Sequence, residues 1–100
     1  MRKESLEIAR AFARGEKASA ARTMTDGTTV WLHGNRIAWR DEDGSVRLTL
    51  AGWGTVTTRD RLNTLCFVLR DDRPFHQKDH VQYFGTSPIE SDDVVLLGFV

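Results

Sequence analysis

Apolar residues recur at helical spacing near the start of the chain. Between residues 3 and 14 they share one broad face at about 100° per residue, and its members are Leu6, Ile8, Ala9, Phe12 and Ala13. Gly15 supplies a residue type that commonly ends helices. The pattern predicts a helix over 3–14, followed by a connector over 16–20.

From Ala21 to Ala51 the apolar period changes to two, which is typical of strands. Three dipeptides that favour two-residue hairpin turns interrupt this segment: Asp26-Gly27, Gly34-Asn35 and Asp43-Gly44. Together they predict a four-stranded antiparallel meander with one mainly apolar face. That face is expected to hold Thr23, Val30, Leu32, Ile37, Trp39, Val46, Leu48 and Leu50.

The predicted pairing separates two tryptophans. Trp39 is placed opposite Val30 and Leu48, in the core, and Trp31 lies on the other face opposite Ala38. The same register puts Arg40 opposite Arg47, a like-charge pair that is mildly destabilising unless something neutralises it. The other face is expected to hold Arg22, Met24, Thr29, Trp31, His33, Arg36, Ala38, Arg40, Arg47 and Thr49.

The second half of the chain repeats the change from helix to strand. Thr57 is a candidate N-cap for a second helix that ends before Asp71, and Cys66 falls within its apolar stripe. Residues 75–84 are predicted to form a short hairpin that turns near Lys78-Asp79, and a loop containing Pro88 follows. The apolar run 94–100 is too short for a helix and predicts a buried terminal strand. The fold class is therefore α+β: an N-terminal helix, a four-stranded antiparallel meander, a second helix, a short hairpin and a C-terminal strand.

Composition limits the classes of function. A chain of 100 residues with 40% apolar residues is expected to form one α+β domain over 1–100. Fourteen basic and fourteen acidic residues cancel, so no global field attracts nucleic acid or membranes. One cysteine, no signal peptide and no apolar run of about 20 residues predict a cytoplasmic protein without a membrane partner.

Candidate chemistry is scarce. His76 and His80 have the spacing of two zinc ligands on a helix, but they fall in a segment predicted to be a hairpin and have no third ligand. The acidic clusters flank turns, and no nucleophile–base arrangement or phosphate-binding glycine motif is present. We therefore expect neither an enzyme, nor a metal site, nor a cofactor.

The polar face of the meander carries the candidate binding residues: Arg22, Trp31, His33, Arg36, Arg40 and Arg47. Arginine and tryptophan dominate protein–protein hot spots, and they also suit phosphate contact and base stacking. An ordinary solvated face, with Trp31 lying under an arginine, or a face covered by the first helix, would explain the same residues without a binding role.

Two segments resemble a family of small uncharacterised proteins encoded by tailed phages and prophages. They are RTMTDGTTVWLHGNRIAWR and GWGTVTTRDRLNTLC, with a looser match at HQKDHVQYF, and together they span residues 22–84. The resemblance implies no particular activity and no site residues. It does imply a class of role, because small phage accessory proteins without catalytic motifs often bind and block host machinery, including CRISPR defence complexes.

Three hypotheses follow. The leading one is a phage accessory protein that binds and inhibits a host protein or ribonucleoprotein complex in an anti-CRISPR-like role. The alternative is a domain that binds single-stranded RNA or DNA on the same face, with Trp31 as the stacking platform. The third is a structural or self-associating domain, which a free edge on the C-terminal strand would favour.

Overall fold

A computed structural model describes residues 2–99. Over these residues the chain forms two helices and nine strands. In chain order they are α1 (Lys3–Arg14), β1 (Ala18–Ala20), β2 (Thr23–Thr25), β3 (Thr29–Leu32), β4 (Asn35–Arg40), β5 (Ser45–Thr49), α2 (Val56–Arg70), β6 (Phe75–Lys78), β7 (Val81–Phe84), β8 (Ser87–Ile89) and β9 (Val94–Phe99). The predicted α+β class is confirmed, while the last residue of the predicted strand 94–100 lies outside the described residues.

Both helices end as their sequences predict, but α2 begins earlier than expected. Helix α1 stops at Arg14, with Gly15 in the left-handed region, and α2 stops at Arg70 before Asp71. The N-cap of α2 is Thr55 rather than Thr57, because the Thr55 hydroxyl accepts a hydrogen bond from the Thr58 amide at 3.2 Å.

The strands form two antiparallel sheets. The larger sheet has the order β1-β2-β3-β4-β5-β9, and the smaller has the order β6-β7-β8. The connector predicted over 16–20 is wrong, since Ala18–Ala20 adds strand β1 to the meander. The loop predicted around Pro88 is also wrong, since Ser87–Ile89 pairs with β7.

The second hairpin turn lies one residue earlier than predicted. Leu32 pairs with Asn35, so His33 and Gly34 form the two-residue loop. Both have positive φ, 51° and 81°, which is what a type I′ turn requires of its two central residues. Histidine is among the residue types that enter this region more often than most. The earlier turn places Trp31 opposite Arg36, and the predicted pairing of Trp31 with Ala38 is wrong.

A β-bulge in β4 reverses the predicted orientation of Trp39. Val30 pairs with Ala38 while Trp31 pairs with Arg36, so Ile37 is an extra residue without a partner on β3. Ile37 and Ala38 are both buried, and every later residue of β4 changes face. The core position predicted for Trp39 is therefore wrong.

The loop between β4 and β5 contains an odd number of residues. The side chains of β5 therefore return to the faces predicted for them. Arg40 pairs with Val46, and the Asp41 amide donates to the Ser45 carbonyl at 2.8 Å. The predicted pair of Arg40 with Arg47 is wrong for this reason. Because the bulge and the odd loop each shift the register by one residue, Val46 and Leu48 still face the core as predicted.

The helices pack on one face of the larger sheet, which we call the inner face. The core between them contains Ile8 and Phe12 from α1, Leu62 and Leu65 from α2, and the buried residues of β3, β4 and β5. The small sheet is attached to α2 through Asn63, whose amide donates to the Phe75 carbonyl at 2.7 Å and accepts from the Phe75 amide at 2.8 Å. This arrangement places the opposite face of the larger sheet away from the helices.

Candidate binding surface

The face of the larger sheet opposite the helices carries exposed and half-buried side chains, and we call it the outer face. Strand pairing aligns its side chains in two neighbouring rows, one across β2, β3 and β4 and the other across β3, β4, β5 and β9. Its principal members are Met24, Trp31, Arg36, Trp39, Arg47 and Leu96. Apolar groups and arginines therefore share one side of a rigid sheet.

The centre of the outer face is a stack of aromatic and cationic groups. Arg36 is the cross-strand partner of Trp31, and its guanidinium carbon lies 3.8 Å from the centroid of the Trp39 ring. A guanidinium over an indole is held by the negative ring face, at a contribution of about 0.5–1 kcal/mol when exposed. The bulge places both tryptophans on this face, and the contact orients the Trp39 ring.

Arg47 is held by a neighbouring carboxylate. It is the cross-strand partner of both Trp39 and Leu96, and its side chain forms an ion pair with Asp41. Both side chains are partly exposed, so the pair contributes little to stability. It does place a negative charge beside the arginine, which reduces the positive field of this part of the outer face.

The structure separates the other three predicted site residues from this face. Arg40 points to the inner side, with its guanidinium carbon 5.1 Å from the Phe12 ring centroid. Arg22 and His33 lie in two adjacent turns, where the His33 amide donates to the Arg22 carbonyl at 2.9 Å. Of the six residues predicted from the sequence, only Trp31, Arg36 and Arg47 come together on the outer face.

Trp39 and Leu96 are outer-face residues that the sequence reasoning missed. The period of two predicts a core position for Trp39, and the bulge at Ile37 moves it to the outer face. Leu96 belongs to a strand that is predicted to be buried, yet it is 55% exposed because it pairs with Arg47 on the face that no helix covers. The run of two apolar residues before Trp39, with no polar residue between them, is the sequence signal for a change of phase.

A buried arginine on the inner side was also missed. Arg61 is 4% exposed, and its Nε donates to the Thr23 hydroxyl at 2.8 Å. One terminal nitrogen of its guanidinium donates to the Ser5 hydroxyl at 2.6 Å and to the Asp60 carboxylate at 2.9 Å. These contacts join α1, α2 and β2. Its position four residues before Leu65, on the apolar side of α2, is the signal that indicates burial.

A cavity of about 320 Å³ opens beside the His33 turn. Its apolar wall includes Leu32, Ile37 and Trp53, and its rim includes His33 and Thr57. Trp53 is 56% exposed and lines this cavity with the inner-face residue Leu32, so the third tryptophan lies at a different surface from the outer face.

Cys66 and His76, two residues with possible chemical roles, make contacts that belong to the fold. Cys66 is buried in the core, and burial raises the pKa of its thiol to about 12, which leaves no thiolate near neutral pH. His76 stacks on Tyr83 and shares a hydrogen bond with the Gly85 carbonyl at 2.8 Å. Within residues 2–99, no three His, Cys, Asp or Glu side chains are grouped so that they could hold a metal ion.

Comparison with known families agrees with the resemblance of the two sequence segments. A family model described as Kyanoviridae Gp96 protein matches residues 1–98. The chain belongs to this phage protein family. The Gp96 description states no activity, so the outer face has to be interpreted from its own residues. Searches of the curated proteins and of the solved structures each found no match.

Neither helix of the Gp96-family chain, in the part that the structure describes, combines the length and the apolar character needed to cross a membrane.

Proposed function

We propose that this phage protein is a non-enzymatic binding protein that captures a host protein through its outer face. The observation that carries the proposal is the stack of Arg36 on Trp39 beside Trp31, on the face opposite both helices. Tryptophan and arginine are the residue types most enriched among interface hot spots. Because the side chains stand on paired strands, the backbone beneath them has little conformational entropy left to lose on binding.

The surroundings of the stack favour a protein partner over a nucleic acid. Met24 and Leu96 extend the apolar area on either side and are each about half exposed. Arg47 is paired with Asp41, and the whole chain has a formal net charge of zero. The complementary surface is therefore an apolar patch with an acidic or carbonyl group placed to meet the Arg36 guanidinium.

Inhibition is the specific consequence that we propose for this capture. A protein of this size that covers a working surface of a host defence complex would block it sterically, as in an anti-CRISPR-like role. This part of the proposal is supported by membership of a phage family and by the small size of the chain.

The test is affinity capture from host lysate, followed by mass spectrometry and by reconstitution with the purified protein that is recovered. Trp39→Ala and Arg36→Glu should each reduce recovery at least about tenfold, which is the usual effect of truncating a hot spot. Trp53→Ala is the matched control, since it removes an exposed tryptophan outside the outer face. Equal recovery by all three variants and the wild type would show that the outer face is not the interface.

The inhibitory step needs a separate measurement. The reconstituted host complex should lose its activity when the wild-type protein is added and keep it when Trp39→Ala is added. If the complex is captured but remains fully active, capture stands and inhibition is wrong.

Single-stranded nucleic acid is the second candidate, and one observation favours it. Trp39 on the outer face supplies a second aromatic ring beside Trp31, and stacking platforms usually hold two or three bases. Salt titration separates the two candidates. Binding to a single strand should weaken log-linearly with salt, by a slope of about 0.7 for each phosphate contacted, and an interface with a protein should respond less.

A further inference from the structure

The two edges of the larger sheet differ in how they are protected. Strand β1 at one edge is only three residues long and follows the charged residues Glu16 and Lys17. Strand β9 at the other edge has six residues, VVLLGF, with no charge and no proline. Short strands, charges and prolines are the devices by which proteins prevent edge strands from pairing with other chains. By this criterion β1 is protected and β9 is open to pairing.

Within the described chain, β9 pairs with β5 only. An antiparallel strand that is bonded along one side presents backbone N–H and C=O groups along the other. The side chains of β9 add apolar area beside that edge, since Leu96 is 55% and Phe99 is 74% exposed. The strand is joined to the sheet by its pairing with β5, and one of its carbonyls, that of Leu97, already accepts a hydrogen bond from Arg70 of α2 at 2.6 Å.

We propose that β9 pairs antiparallel with β9 of a second copy of this chain, so that the two sheets become continuous. In a two-fold antiparallel strand pair the residues near the axis meet their own counterparts, so a charge in the middle of the strand would be brought close to a like charge. Because β9 is uncharged from Val94 to Phe99, its own side chains bring no like charges together across the axis. The opposite edge, at β1, offers only three residues for such pairing.

The geometry of this dimer follows from the pairing. Two antiparallel edge strands are related by a two-fold axis perpendicular to the sheet, because only that axis reverses the strand direction and keeps each face on its own side. Both outer faces then lie on one side of the continuous sheet, and both pairs of helices lie on the other. The dimer would present two copies of the Arg36–Trp39 stack in one direction. This inference does not depend on the proposed function.

The first test is molar mass in solution by analytical ultracentrifugation over a range of concentrations. The wild type should show twice its 11.3 kDa monomer mass, with a dissociation constant below about 1 mM. Val94→Lys combined with Leu96→Lys should raise that constant at least about tenfold, since like charges would meet across the axis. Both residues are more than half exposed, so the variant should fold.

The matched control is Val56→Lys combined with Val81→Lys, which adds the same charge at exposed apolar positions on α2 and β7. It should leave the dissociation constant within about twofold of the wild type, because surface substitutions away from a contact have small effects. A wild type that remains monomeric at about 1 mM would overturn the proposal. So would a dimer that the β9 variant leaves intact, or one that the control disrupts equally.

The second test needs no variant. Amide hydrogen exchange of the wild type should slow at the β9 backbone as concentration rises, while exchange at β1 should not change. A dimer formed by contact of the two outer faces would bury Trp39 without adding hydrogen bonds to β9. Concentration-independent exchange along β9 in a dimeric sample would therefore overturn edge pairing. An Arg36→Glu variant that dissociates the dimer would do the same.

Discussion

The two faces of the larger sheet use similar residues in opposite ways. On the inner face Phe12 and Leu65 are buried, and Arg61 lies among them with hydrogen bonds to Ser5, Thr23 and Asp60. On the outer face Trp31 and Trp39 remain partly exposed, and the Arg36 guanidinium rests on an indole ring. One face has its polar groups satisfied internally, while the other still presents hydrogen-bond donors and apolar area to solvent.

This difference separates residues that maintain the fold from residues available for binding. A buried arginine must be paired, since an unpaired charge in the interior costs several kcal/mol. An exposed arginine on an aromatic ring contributes little to stability and keeps donors free for a partner. Residue type alone therefore does not identify the site, and the distinction depends on which face each arginine occupies.

The largest expected effect compares an aromatic residue on each face. Phe12→Ala should lower the free energy of unfolding by about 4 kcal/mol, because it leaves a cavity between α1 and the sheet. Trp31→Ala should lower it by about 1 kcal/mol, because the ring is already partly solvated. Urea denaturation followed by circular dichroism measures both. Similar losses would mean that the outer face is as important for folding as the inner one.

A second comparison uses the two arginines. Arg61→Ala should cost about 3 kcal/mol, since it removes the donor to the buried hydroxyls of Ser5 and Thr23 and to the Asp60 carboxylate. Arg36→Ala should cost no more than about 1 kcal/mol. The same denaturation experiment applies. A larger loss for Arg36→Ala than for Arg61→Ala would reverse the roles assigned to the two faces.

A third prediction concerns the backbone contact that positions α1 over the sheet. A Cβ atom at Gly27 would lie 2.5 Å from the backbone carbon and oxygen of Gly15, and Gly27 also has φ of +98°. Gly27→Ala should therefore destabilise the protein by about 2 kcal/mol. Gly52→Ala is the control, because Gly52 has φ of +86° but open space around it. An equal effect at both positions would show that the left-handed backbone, and not the contact, is responsible.

The smallest expected effect is a pH dependence in the turn before β3. The Asp26 carboxylate accepts hydrogen bonds from the amides of Thr28 and Thr29 at 2.9 and 2.8 Å, and these bonds lower its pKa below the ordinary value of 3.8. Folding thus favours the charged form. Its contribution to stability is present above pH 3.8 and is lost as the pH falls through the lower pKa of the folded state.

Asp26→Asn tests this dependence, since the variant cannot ionise. The stability of the wild type should fall more than that of Asp26→Asn between about pH 5 and about pH 2, as measured by urea denaturation at each pH. If stability changes with pH equally in the two proteins, folding does not favour the charged form of Asp26.

The sequence by itself determined the features that depend on neighbouring residues. Helix α1 and its end at Gly15 follow from apolar spacing and from a residue that tolerates the left-handed region. The hairpin at 75–84 follows from alternation around a turn, and the structure places Asp79 and His80 in that turn. The apolar sides of β3 and β5 were also predicted, because a period of two separates the two faces of a strand.

Only the tertiary structure decided which of the tryptophans and arginines share a surface. Ile37, Ala38 and Trp39 are all apolar, so local pattern is compatible with either phase, and the bulge is chosen by how both Ile37 and Ala38 fit the core. An Asp-Gly dipeptide is compatible with a hairpin loop of two or of three residues. Because these loops differ by one residue, they place each residue of the next strand on opposite faces. The position of β9 at the sheet edge depends on its long-range pairing with β5. The predicted positions of Trp39, Arg40 and Leu96 are wrong because their environments are set by partners distant in the chain, while the local pattern permits either phase.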